Sequence, residues 1–228
     1  MKIWWFILLG LCIFLLIYYK VKIHWKSFFK RGFIAKRGPY GTRVYAGAQG
    51  KGKTLGCASF IYDNRNKIYL FSNVKFNDTI QYTYFTGFDG IIDIKKQLDS
   101  GLDTKGKQVV ILFDELFTEL TKGSKLNTEI LDFLCQLRKR KIIFLTTCQS
   151  WADVPLQFRR LVRYLFKVNI ITIPFVCSLH LITVQDAENM RWDEQQQDFV
   201  APTVWTDVYK CRKQVAGIYD TNQRITTQ

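Results

Sequence analysis

Apolar residues run without a break over residues 3–19 (IWWFILLGLCIFLLIYY), bracketed by Lys2 and Lys20. As a helix rising ~1.5 Å per residue the run spans roughly 26 Å, the low end for a bilayer. A core helix would carry a polar stripe, and this run has none. Trp4, Trp5, Tyr18 and Tyr19 suit the two membrane interfaces. Lys20 and Lys22 can snorkel outward and lengthen the effective span. A cleaved signal peptide would place its charge before the run and small residues after it, and neither feature is present. The pattern therefore predicts a transmembrane anchor over residues 1–20. Lys20, Lys22, Lys26, Lys30, Arg31, Lys36 and Arg37 follow the run, against Lys2 alone before it. The positive-inside tendency then puts the C-terminal side in the cytoplasm of a host, or inside a virion membrane.

Beyond residue 42 short β-rich runs alternate with helical ones. Residues 43–46 read as a strand entering a Gly-rich turn, 54–62 as a helix, and 67–71 as a strand ending at Ser72-Asn73. Residues 109–113 (VVILF) are continuously apolar, as in a strand buried on both faces. Asn127 can cap a helix running to about Arg140; 142–146, 164–168 and 177–184 are further strands. Residues 186–197 are polar and read as a helix or an excursion, and the chain from Ala201 as irregular or β-rich. Strands separated by helices predict an α/β fold with a mostly parallel sheet and right-handed crossovers. The divisions are an anchor (1–20), a basic juxtamembrane linker (21–41) and one α/β domain (42–228). The linker's Trp25, Phe28, Phe29 and Phe33 let it lie on anionic headgroups, though a plain solvated linker fits equally.

The formal charge of +14 changes this picture little, because it is concentrated early. No Asp or Glu precedes Asp63, while eleven Lys and Arg do. A basic surface attracts phosphate polymers and anionic lipid alike, so charge does not choose between DNA and membrane as partners. The 6 cysteines show no C-x-x-C pair and no histidine at ligand spacing, which argues against zinc and fits reduced thiols.

The chemistry enters at Gly47-Ala48-Gln49-Gly50-Lys51-Gly52-Lys53-Thr54, which matches G-x-x-x-x-G-K-[ST] between a predicted strand and a predicted helix. Glycines let backbone N–H groups converge on phosphates, and the helix N-terminus adds its dipole. Lys53 would reach the β- and γ-phosphates of ATP, and the Thr54 hydroxyl would bind Mg²⁺. Asp114-Glu115 follows the VVILF strand, at the sheet edge where α/β proteins bind ligands. Asp114 would hold the metal through water, and Glu115 would polarise the attacking water. In IIFLTTCQS a strand ends in Thr146, Thr147 and Gln149, placing Gln149 to orient water or report nucleotide state; an ordinary strand-end amide is the alternative. Arg138, Arg140, Arg159, Arg160 and Arg163 offer a finger for a neighbouring subunit in a homo-oligomeric ring, Arg138 first. Each is also explicable as a solvated or DNA-facing charge.

Together the P-loop, "IYLFSNVKF", "FDE", "LRKRKIIFLTTCQS", "PLQFRRLVRY" and "GIYDTNQRI" resemble phage-encoded ATPases of the FtsK/HerA class over residues 42–225. Two branches come close: genome-packaging ATPases of tectivirus-like phages, and zona-occludens-toxin-like ATPases of filamentous phage assembly. The resemblance implies a RecA/FtsK-like P-loop NTPase that hydrolyses ATP with Mg²⁺. Lys53 and Thr54 would bind nucleotide and metal, Asp114 and Glu115 would serve metal and water, and Gln149 would sense the γ-phosphate. Cys148 stands where many relatives read T-T-Q directly, and assembly ATPases usually carry the membrane helix after the domain. The expectations are a membrane-anchored DNA translocase that packages a viral genome or, alternatively, a filamentous assembly ATPase working on virion or membrane proteins. A nucleotide-gated scaffold without hydrolysis is disfavoured by the intact Lys53, Asp114 and Glu115.

Overall fold

A computed structural model describes residues 2–21, 40–118, 127–173, 177–194, 198–210 and 213–219. The predicted linker and the end of the "GIYDTNQRI" motif lie largely outside these residues.

Helix α1 (Lys2–Val21) carries the apolar run, and its described side chains, residues 4–15, are all exposed. Among the described residues no helix is long and apolar enough to cross a membrane. The predicted transmembrane span over residues 1–20 is therefore not supported by the structure.

The domain is one 8-stranded sheet with helices on both faces. Strand β1 (Gly41–Ala46) leads through the Gly-rich loop into α2 (Lys53–Asn64). Then come β2 (Ile68–Ser72), β3 (Tyr82–Tyr84), α3 (Gly87–Asp99), β4 (Gln108–Phe113), α4 (Thr128–Gln136) and β5 (Ile143–Cys148). A short helix α5 (Leu156–Arg159) precedes β6 (Val162–Ile173) and β7 (Cys177–Asp186). A two-stranded excursion, β8 (Arg191–Asp193) and β9 (Asp198–Val200), leads to β10 (Thr203–Lys210) and the turn-length helix α6 (Lys213–Ala216). The strand order is β10-β7-β6-β1-β5-β4-β2-β3.

Strands β6, β1, β5, β4, β2 and β3 pair in parallel, as expected. The flank does not: β6–β7 and β7–β10 are antiparallel. Only residues 174–176 separate β6 from β7, far too few for a crossover of a dozen or more residues, so the chain must turn back beside itself. The polar stretch after Asp186 is the β8–β9 excursion rather than a helix, and the chain from Ala201 forms the edge strand β10.

Alternation along buried strands builds two cores. Val110 and Leu112 of β4 and Ile143 and Leu145 of β5 join Cys57, Ala58 and Ile61 of α2 on one face. Ile111, Phe113 and Phe144 join Ile91 and Ile94 of α3 and Ile130, Phe133 and Leu134 of α4 on the other. Helix α4 starts where Asn127 predicts, its side chain accepting from the Glu129 N–H at 2.9 Å. It stops short of Arg140, because Lys141 adopts φ 55° and the Ile142 N–H returns to the Leu137 carbonyl at 2.9 Å. That left-handed termination feeds the chain straight into β5.

Removing the cap should be felt locally and modestly. Asn127→Ala is expected to cost about 1 kcal/mol, read from denaturant midpoints at unchanged m-value.

Candidate functional site

Strand β1 sits between β5 and β6, so the chain leaving Ala46 emerges at the sheet's C-terminal edge with walls on both sides. The Gly47 N–H donates to the Cys148 carbonyl at 3.3 Å, tying the loop's start to the end of β5. Gly50 and Gly52 take φ of 77° and 80°. A Cβ on Gly52 would lie 2.6 Å from Ile170 Cδ1 and 3.1 Å from His180 Nε2, so conformation and space both demand glycine there. Helix α2 opens with no side-chain cap, leaving its first N–H groups to whatever occupies the loop. Lys53 Nζ donates to the Ala48 carbonyl at 3.2 Å, so its ammonium lies over the loop it belongs to.

Across the edge, Asp114 ends β4 with only 6% of its surface exposed. Its two carboxylate oxygens accept from two threonines: Thr54 Oγ1 at 2.8 Å and Thr147 Oγ1 at 2.6 Å. Its main chain is clasped by Asn73 on β2's exit, which donates to the Asp114 carbonyl at 3.0 Å and accepts from its N–H at 2.7 Å. The Glu115 N–H donates to Thr147 Oγ1 at 2.9 Å, so that hydroxyl is fixed as acceptor from one residue and donor to the other. Glu115 itself stands at φ 55°, a left-handed conformation unusual for a side-chain-bearing residue, and is exposed at the mouth.

Burial pushes the Asp114 carboxyl upward from its ordinary value, opposed by the Thr147 and Thr54 hydrogen bonds and by the Lys53 charge. Glu115 is also raised, by burial and then by the Asp114 charge, with Lys53 opposing. His180, buried under Gly52, is pushed down to about 4 by burial and stays neutral near pH 7.

Among the described residues no three His, Cys, Asp or Glu gather as a metal cluster. Thr54 and Asp114 supply two hard oxygens side by side, which fits Mg²⁺, a cation that takes few protein ligands and keeps water and phosphate oxygens for the rest. Held by Thr54 and Asp114, Mg²⁺ would supply charge that offsets a phosphate ligand's.

Lys53, Thr54, Asp114 and Glu115 thus meet at one edge. Gln149, just past β5, lines a cleft with Gly47, Ala48 and Lys51. Arg138 is not brought to this chain's loop. It packs on Gly41 at the start of β1, about 17 Å from the loop at ~3.3 Å per strand residue. Arg140 pairs with Asp99 at 2.5 Å. Arg159 donates to the Val154 and Ala152 carbonyls and stacks on Phe199. Arg163 lies against Tyr164. Two residues went unassigned in the sequence: Asn73, whose only sign was a polar residue ending a strand, and Thr147, whose role depends on which strand adjoins β4.

No family model matches the chain, and no curated protein matches it. Solved structures do. The N-terminal domain of zonular occludens toxin from Neisseria meningitidis aligns at TM-score 0.50 and 17% identity, covering 79% of this chain and 98% of that one. The genome packaging NTPase B204 of Sulfolobus turreted icosahedral virus 2 aligns at 0.46 and 12%, covering 70% and 95%. The Legionella pneumophila ATPase DotB aligns at 0.43 and 12%, covering 72% and 50%. The first likeness shows the fold alone, a mostly parallel α/β sheet with helices on both faces.

A carboxyl raised by burial makes the fold less stable as pH climbs. The Asp114 contribution is fully present below the unfolded carboxyl value of 3.8 and is lost as pH rises through the higher folded value. Asp114→Asn should therefore raise the melting temperature of the nucleotide-free protein at pH 7, and that advantage should shrink toward pH 4 in a thermal-shift series.

Proposed function

We propose that this chain is an Mg²⁺-dependent ATP hydrolase, held at a membrane by its N-terminal helix, that uses ATP to move DNA, as in packaging a viral genome. The observation carrying the catalytic half is the Thr54–Asp114–Thr147 chain of hydrogen bonds beside the glycine loop. Loop N–H groups and Lys53 would hold the phosphates, and Thr54 and Asp114 would hold the cation. Glu115, raised in pKa and exposed at the mouth, would take a proton from the attacking water.

DNA as the cargo is compatible with the basic bias, which an anionic membrane would use equally, and the scarcity of obvious base-reading motifs suits backbone tracking. The anchor is supported by the unbroken apolar run and by the exposure of Trp4 (75%) through Leu15 on α1. A homo-oligomeric ring would supply an arginine, which the site lacks among the described residues, and Arg138, exposed on the opposite edge, is free of that site's geometry.

A second reading, an ATPase for filamentous phage assembly and export, is favoured by the likeness that spans nearly all of the zonular occludens toxin domain. The two part on cargo. With the full chain in detergent, ATP hydrolysis should rise several-fold on adding DNA, vanish in Lys53→Ala, and fall ~10²-fold or more in Glu115→Gln while ATP binding persists. Hydrolysis indifferent to any DNA would hand the case to the assembly reading.

A further inference from the structure

After β10 the chain leaves the flank it has just closed. Helix α6 brings it to the α2 face, where Val215 and Ile218, 1% and 3% exposed, enter the core that holds Cys57, Ala58 and Ile61. There it meets the segment leaving β2. The Asn77 N–H donates to the Ile218 carbonyl at 2.8 Å, and the Asn77 side chain donates to the Gly217 carbonyl at 3.3 Å. Tyr219 forms an antiparallel bridge with Phe76. Residues 213–219, which include the start of the GIYDTNQRI motif, are thus a strap running from β10 to the exit of β2.

That exit is already tied to the site. Its Asn73 clasps the Asp114 main chain, and Phe76 stands three residues further on. Tyr219, paired with Phe76, packs its ring against the α2 core and remains half-buried. Burial first, then the neighbouring Asp114 and Cys57, push its phenol up to about 12, so it keeps its proton and can donate at neutral pH. Cys57 lies one turn beyond Thr54 on α2, so both neighbours put the hydroxyl close to the Thr54–Asp114 pair. Among the described residues nothing hydrogen-bonds to that hydroxyl. A tyrosine hydroxyl drawn into a structure usually has a partner, and a bound ligand would supply one here. We propose that Tyr219 is a ligand-binding residue of the nucleotide site, its hydroxyl donating to an oxygen of the magnesium nucleotide: a phosphate oxygen, or a water on the cation held by Thr54 and Asp114. This rests on the nucleotide reading of the glycine loop and adds a contact from the C-terminal strap.

Isothermal titration of the full chain in detergent, wild type against Tyr219→Phe, tests it with ATP in Mg²⁺ and with ATP in EDTA. Phenylalanine keeps the ring on the α2 core and removes only the hydroxyl, so the melting temperature without ligand should not change. Mg²⁺-ATP should bind about tenfold more weakly, as expected when a hydrogen bond to a charged ligand is lost. A loss that persists in EDTA identifies a phosphate oxygen as the acceptor, and a loss seen only with Mg²⁺ identifies the cation's water; both support the assignment. A second readout replaces the 11 tyrosines with 3-fluorotyrosine. The fluorine resonance that is missing from Tyr219→Phe should move when Mg²⁺-ATP is added to wild type. Unchanged ATP affinity in the variant overturns the inference and leaves the nucleotide reading standing, since wild type still binds. Weaker binding with an unmoved resonance, or with a lowered ligand-free melting temperature, marks a support of the fold and overturns it too. A wild type that binds no ATP refutes the nucleotide reading itself, and this inference with it.

Discussion

A carboxylate buried at the end of a strand is tolerable only if its oxygens are occupied, and Asp114 meets that condition with two threonine hydroxyls from two different elements. Everything about the site's geometry follows from this. Thr54 is the second residue of α2, so its bond fixes where the helix begins relative to β4. Thr147 is the fifth residue of β5, so its bond fixes the height at which the strands end. Asn73 completes the arrangement by supplying, from a side chain, the donor and acceptor that a continued β2 would have offered to Asp114. Three neighbouring elements are thereby locked to one side chain.

That lock needs β5 to lie between β1 and β4, and the sheet order provides it. With period-2 alternation, Ile143 and Leu145 enter the α2 core, and Thr147 continues along the same face to reach Asp114. Cys148 points to the opposite core with Phe144. The cysteine standing between Thr147 and Gln149 is thus a buried apolar filler on one face, while Thr147 keeps the polar position on the other.

Much of this was legible in the chain. The glycine loop, the VVILF strand with its acidic pair, and the Asn127 cap all rest on local rules, and each stands within a residue or two of its predicted place. What local pattern could not carry was adjacency. Which strand separates β1 from β4 is a tertiary fact, so Thr147 and Asn73 read only as polar strand ends. The direction of β7 was open to inference from the short link at 169–176 between the predicted strands, itself under the dozen residues a crossover needs, but strand composition alone says nothing about the direction of a partner. Helix α3 went unseen because Gly87 and Gly90 weaken its signal, and β3 because three residues carry no periodicity.

The loop is held from the far side as well. Gly47 approaches the Val168 carbonyl so closely that a Cβ would stand 2.9 Å from it, and Gly52 rests against Ile170 and His180. Both contacts come from the part of β6 and β7 that overshoots the sheet, so the antiparallel flank is a buttress for the glycine loop. A cationic histidine beneath the loop would add attraction for phosphate, yet burial keeps His180 neutral down to about pH 4. Its use is then one of shape. A loop already pinned between Asp114 and the β6–β7 wall has little ordering left to lose when a ligand arrives, and that preorganisation favours binding without any further contact.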